Sequence, residues 1–277
     1  MMIGSYFTLV MIGAGLIGMI CAQIGFFAYL NKRSLVGDAL AHSVLPGVVA
    51  GFLCSLSRNP FYLMLGAMIS GMLATLWMQY LERKTRLKTD AIIALTMSSF
   101  SALGLCGLSF TQKLEAGDHA GLGDFLFGSI AAMQLPDIQL LFGVALIMGL
   151  VFWFFYHRLI ALAFNKEFME IKGFPVKWYG LLMNLMLMIT ITLGIQLLGV
   201  VLISAMLILP VVTARFMVKS NTWIFRVAMI IGVICALSGT YFSSLGEGLP
   251  TGPVIILTTI LLLGVTLIVK RLMNRRV

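Results

Sequence analysis

Charge is scarce in this chain. Only 10% of its 277 residues are charged and 60% are apolar, against about 25% and about 45–50% in soluble domains. A water-soluble fold is excluded. Basic residues are missing from the first 31 positions, so the chain lacks the n-region of a cleaved signal peptide and its first apolar run is expected to remain as a span. Cysteine is rare: Cys21, Cys54, Cys106 and Cys235 all lie in apolar runs with no CxxC spacing, which favours small packing hydrophobes over disulfides or metal ligands. No Gly-Lys dipeptide, HExxH or GxSxG occurs. The P-loop and two common hydrolase signatures are therefore absent.

What the chain has in abundance is long apolar sequence. Runs at 6–30, 35–56, 61–81, 91–111, 137–157, 178–198, 200–218, 223–244 and 253–270 each approach the roughly 20 residues needed to cross a bilayer. They predict an all-α polytopic membrane protein with a single transmembrane domain over 1–277 and nine crossings. The number falls to eight if 178–198 and 200–218 form broken helices, since Gly194 and Gly199 leave almost no loop between them. The net charge of +9 fits cytoplasmic loops better than a nucleic-acid surface, because Lys and Arg collect on the inner side of membrane proteins.

Direction follows from the loop Glu82 to Asp90, with Arg83, Lys84, Arg86 and Lys88, which is expected inside. Counting outward places the N-terminus outside, Lys113 to Asp124 outside, His157 to Lys177 inside, and the basic C-terminus in the cytoplasm. The stretch 125–133 is too short to cross and reads as a short external or re-entrant helix. A weak internal echo pairs Ala39 to Pro46 with Ser204 to Pro210, on runs of opposite direction, as in transporters built from inverted repeats with broken helices.

An ionisable residue inside a span costs about 2.5–3.5 kcal/mol on insertion scales and is a functional candidate by default. The clearest are Asp38 and His42, at i and i+4 on one predicted helix face. A carboxylate and an imidazole suit a divalent cation or a proton relay; the alternative is a buried Asp–His hydrogen bond that only steadies the helix. Pro46 and Gly47 interrupt the same run, as where backbone lines a wet path or where a helix merely kinks. Gln196, Ser204 and Pro210 are further pathway candidates, and Glu247 and His119 could serve at the outer mouth or simply be solvated. The 19 methionines read as core. In the longest internal loop, about 161–173, Phe164, Phe168 and Ile171 fall on one helical face with Glu167 elsewhere, and Gly173 and Pro175 stop the helix. It would lie on the membrane or plug into a cytoplasmic partner.

The segment Ser34 to Leu53 resembles the signature of the permease subunits of zinc, manganese and iron ABC importers. Further likenesses are Gly123-Asp-Phe-Leu-Phe-Gly-Ser-Ile130, Gly199 to Pro210 with Ala214, and Leu249-Pro-Thr-Gly-Pro253, in family order over nearly the whole chain. The resemblance implies a homodimeric type II permease in a bacterial plasma (inner) membrane. It implies two copies of a separate cytoplasmic ATP-binding subunit and an external metal-binding lipoprotein or periplasmic protein. It further implies that Asp38 and His42 coordinate manganese, zinc or iron as transported substrate, with no resident cofactor, and that 161–173 is the coupling helix. The chain departs from the pattern at Asn165-Lys166, where a more acidic start is usual, and at Glu247, where an Asp nearer the proline is expected. A proton-coupled secondary metal transporter and a vitamin- or siderophore-type ABC permease are the competing readings; an intramembrane enzyme ranks behind both.

Overall fold

The computed structural model describes residues 2–31, 34–55, 60–111, 128, 130, 133–246 and 249–274. In a bilayer no water is available to satisfy exposed peptide groups, so a spanning chain must close its hydrogen bonds within helices or a closed barrel. Here the described residues take the helical solution throughout: α1 (Met2–Leu30), α2 (Ser34–Ser43), α3 (Leu45–Ser55), α4 (Pro60–Lys84), α5 (Thr89–Thr111), α6 (Leu135–Phe164), α7 (Lys166–Ile171), α8 (Val176–Leu198), α9 (Val200–Met217), α10 (Asn221–Leu245) and α11 (Thr251–Asn274).

Among the described residues, eight stretches are long and apolar enough to cross a membrane, with α2 and α3 together supplying one of them, Leu35–Ser55. The ninth predicted crossing corresponds to α9, where the apolar stretch Leu202–Met217 is shorter than the other eight. At about 1.5 Å per residue the 18 residues of α9 still reach about 27 Å, near the thickness of the hydrocarbon layer. The predicted fifth span proves longer than its apolar run: α6 has 30 residues and a length of about 45 Å, so it extends beyond the hydrocarbon. Its start is fixed by a capping box in which the Gln134 N–H donates to Asp137 Oδ2 at 2.9 Å and by Pro136 in the first turn.

The chain forms two compact units. The first contains Met1–Ser34, Ser129–Leu181 and Ala205–Val277. In it α1 packs on both α6 and α10. Gly18 and Gly232 meet backbone to backbone: a Cβ on either would strike the carbonyl of the other. Ala22 and Ala236 flank the contact, so each helix presents a small-xxx-small pair, the arrangement that lets helices approach closely in lipid. One end of this unit is held by rings. Phe27 stacks on Phe152 at 4.9 Å, and Phe225 meets Phe26, Phe27, Phe152 and Tyr156 at 5.3 to 6.0 Å.

The second unit contains Leu35–Gly128 and Leu182–Ser204. Its centre is the antiparallel pair of α3 and α4, with α5 against α3. All four cysteines are free; Cys21 and Cys235 are buried, while Cys54 and Cys106 are exposed.

Candidate functional site

Helix α2 is buried along most of its circumference: Gly37, Ala39, Leu40, Ala41 and Ser43 are enclosed, and Asp38 and His42 lie on the more accessible stripe that starts at Leu35. The i, i+4 spacing brings their side chains together, with His42 Nε2 3.9 Å from Asp38 Oδ1 and exposures of 26% and 33%. That separation exceeds a hydrogen bond, so the lone pairs of both groups remain available to a third atom. A cation bonded to each at about 2.1 Å fits between them with an open angle of about 135°, which a small inward shift would tighten toward tetrahedral. Two donors leave most of a coordination shell to water or to other groups. Among the described residues no cluster of three or more His, Cys, Asp or Glu occurs, so these two side chains by themselves could not complete a closed metal shell.

Directly after the pair the helix breaks. Val44 is a turn residue between α2 and α3, although its own N–H still reaches the Leu40 carbonyl at 3.1 Å and its carbonyl accepts from Val48 at 3.0 Å. The cause is Pro46, which has no N–H to offer the carbonyl of His42 and whose ring crowds that turn. Ser43 spends its hydroxyl on the Ala39 carbonyl at 2.6 Å, and the Ser43 carbonyl in turn accepts the hydroxyl of Ser70 on α4, also at 2.6 Å. This contact between helices is short because α3 and α4 touch through glycine. A Cβ on Gly47 would meet the Gly66 carbonyl and the Ser70 Cβ, one on Gly66 would meet the Gly47 carbonyl, and one on Gly51 would meet the Tyr62 carbonyl.

A second feature lies in the connection from α6 to α8, in the first unit. The predicted amphipathic stretch 161–173 is two pieces: 161–164 complete α6, and only Lys166–Ile171 forms the separate helix α7. Asn165 makes the break. Its extended backbone ends α6, and its side-chain oxygen accepts the Phe168 N–H at 3.0 Å as the N-cap of α7. At the other end Gly173, with φ +77, allows a Schellman closure, in which the Gly173 N–H reaches the Glu170 carbonyl at 2.9 Å and the Phe174 N–H reaches the Met169 carbonyl at 3.0 Å. Met169 alone of the six residues is buried; Phe164, Glu167, Phe168 and Ile171 are exposed. The base of this connection is tied by Arg158, whose guanidinium donates to the Tyr179 hydroxyl at 2.9 Å and lies near the rings of Phe155 and Phe174 at 5.7 and 5.9 Å.

The structure thus brings Asp38 and His42 together and sets Pro46 at the joint beside them. Gln196 and Ser204, both half-buried, lie in the same unit on α8 and α9. Pro210 is buried inside α9 in the other unit. Glu247, His119, the rest of the external loop, and 125–133 except Gly128, Ile130 and Met133 lie outside the described residues. Sequence reasoning missed Ser70 and the α3–α4 contact, although Gly47-xxx-Gly51 on one helix and Gly66-xxx-Ser70 on the other are small-residue spacings that signal close helix packing in lipid.

Comparison with known proteins gives a consistent result. The sequence profile of the ABC 3 transport family matches residues 5–270. The manganese transport system membrane protein MntC of Bacillus subtilis is 34% identical over 91% of this chain and 58% of its own length. The chain therefore spans less than two thirds of that relative. The zinc transport system membrane protein TroC of Treponema pallidum is 31% identical over 90% of this chain and 83% of its own. Among solved structures, PsaBC from Streptococcus pneumoniae in complex with Fab superposes with a TM-score of 0.80 at 29% identity, covering 94% of this chain and 90% of that one.

Proposed function

The chain belongs to the ABC 3 transport family, and from that membership we propose that it is the membrane permease of an ATP-driven importer for a divalent transition-metal ion: manganese, zinc or iron. The observation that carries this reading is the open Asp38–His42 pair on a helix buried around most of its circumference, in a chain with relatives named for manganese and zinc transport. One oxygen and one nitrogen donor hold any of the three ions without enclosing it, and donor type alone does not choose between them.

In this mechanism the chain acts as a homodimer. An external metal-binding lipoprotein or periplasmic protein delivers the ion to the outer face. Asp38 and His42 take it transiently, and Pro46 after them cannot supply the helical N–H to the His42 carbonyl, an interruption tolerated where helices line water and not lipid. Two copies of a cytoplasmic ATP-binding subunit grip α7, whose exposed Phe168 and Ile171 supply an apolar knob and whose tie to α6 and α8 transmits their closure.

Orientation follows from the basic residues. Counting α9 as a crossing puts 85–88, Lys166 to Lys177, Lys219 and the C-terminal Lys270 and Arg271 on one side; leaving it out would strand Lys219 and the C-terminus on the other. The positive-inside bias therefore supports nine crossings, with the N-terminus external and the C-terminus cytoplasmic in a bacterial plasma membrane.

The test is uptake into proteoliposomes holding the chain, its ATPase and its binding protein, with manganese, zinc and iron compared. ATP-dependent uptake that disappears in Asp38→Ala and His42→Ala supports the proposal. Uptake driven by a pH gradient without ATP would replace it with a secondary transporter.

A further inference from the structure

We propose that Ser70 is a positioning residue for the Asp38–His42 pair, acting through the broken backbone that follows His42; the inference rests on the reading of that pair as the metal path. Ser70 is on α4 and almost wholly buried, and it touches neither ligand candidate. Its hydroxyl donates to the carbonyl of Ser43, the residue next to His42, at 2.6 Å.

The position is unusual in what it fixes. Pro46 deprives the His42 carbonyl of its helical donor, so the turn that carries the imidazole is held less by its own helix than a regular turn is. Within that turn the Ser43 hydroxyl is committed to Ala39. The bond from Ser70 reaches this joint from another helix. A serine side chain is short, and it reaches only because Gly47 leaves its Cβ position empty against Ser70 Cβ and because Gly66 rests on Gly47. Three small residues on two helices thus deliver one hydroxyl to the backbone beside the ligand.

Hydrogen bonds that orient a metal ligand from behind cost about 10- to 100-fold in metal affinity when removed. Ser70 acts one bond further back, through the peptide, so the lower end is expected. Reconstituted with ATPase and binding protein, Ser70→Ala should raise the KM for manganese uptake about tenfold with Vmax and the ATP hydrolysis rate within about twofold of wild type. Ser70→Thr, which keeps the hydroxyl, should restore KM.

An unchanged KM in Ser70→Ala, or the same defect in Ser70→Thr, overturns the proposal. Should Ser70→Ala fail to assemble, Ser70→Cys, nearly the same shape with a weak donor, carries the same comparison, and an unchanged KM there overturns it equally. Asp38→Ala is run beside them: wild-type uptake by that variant refutes the metal-path reading itself, which is a different result from an unmoved KM at Ser70.

Discussion

If α7 is the handle gripped by the ATPase, its two exposed apolar side chains should carry most of the contact energy. Ile171 is 85% exposed and Phe168 49% exposed. Full burial of such a side chain contributes about 1.5–3 kcal/mol, so docking Ile171 adds about 2 kcal/mol and the free half of Phe168 about 1 kcal/mol. Lys172, whose ammonium lies 4.6 Å from the Phe168 ring centroid, already covers part of that ring and keeps its share small. Together the two side chains account for about 3 kcal/mol, or roughly 100-fold in Kd. The perturbation is the double variant Phe168→Ala with Ile171→Ala. It leaves the Asn165 cap, the Gly173 closure and the buried Met169 intact, so the helix itself should persist. The assay is titration of the purified ATPase onto the permease in nanodiscs at fixed ionic strength. A Kd within about threefold of wild type would refute the reasoning and would fit a helix lying on the membrane, where those side chains face lipid and not a partner.

Other outcomes follow from the same geometry. Asp38→Ala and His42→Ala should each cut metal uptake by ~100-fold or more, beyond the cost of losing an outer hydrogen bond, with dimer yield on size exclusion unchanged; parallel loss of the dimer would favour a purely structural pair. Gly66→Leu should separate α3 from α4 and lower stability by about 1–3 kcal/mol, the usual cost of overpacking, seen as a lower unfolding midpoint in detergent; an unshifted midpoint would mean the close contact is not there. Arg158→Ala should free Phe174 and Tyr179 at the base of α7 and raise the ATP consumed per ion transported, and a normal ratio would remove Arg158 from the coupling route. Single cysteines at Thr85 and Lys219 in a cysteine-free background should both react with impermeant reagent only from the cytoplasmic side. Labelling of position 219 from outside would eliminate α9 as a crossing.

The spans were legible because lipid imposes one crude requirement, about 20 apolar residues, that needs no knowledge of neighbours. The Asp38–His42 pair was legible for a related reason: charge in an apolar run stands out, and i, i+4 spacing is local. Helix α7 was half legible. Its stop at Gly173 and Pro175 was plain, but the spacing of Phe164, Phe168 and Ile171 suggested one continuous face, and a face pattern takes no account of where a cap cuts it. Asn165 is a strong N-cap residue, and giving it more weight would have placed the break. The Ser70 contact depends on which helix lies against α3, a question of tertiary packing; the glycine spacings narrowed the choice of face without naming the partner. Arg158 shows the same limit, since nothing in the chain ties it to Tyr179, 21 positions on, until α6 and α8 fold back on each other.

The two glycine contacts, Gly18 with Gly232 and Gly47 with Gly66, have a genetic consequence. Every missense change in a glycine codon adds at least a Cβ, and at these four positions the atom it adds lands on another helix's backbone, which cannot rotate away as a side chain can. No conservative replacement exists there. In a saturation library selected for growth on scarce metal, these four sites should tolerate silent codons only, while glycines where an added Cβ would meet no atom within 4 Å, such as Gly143 and Gly264, should accept alanine freely.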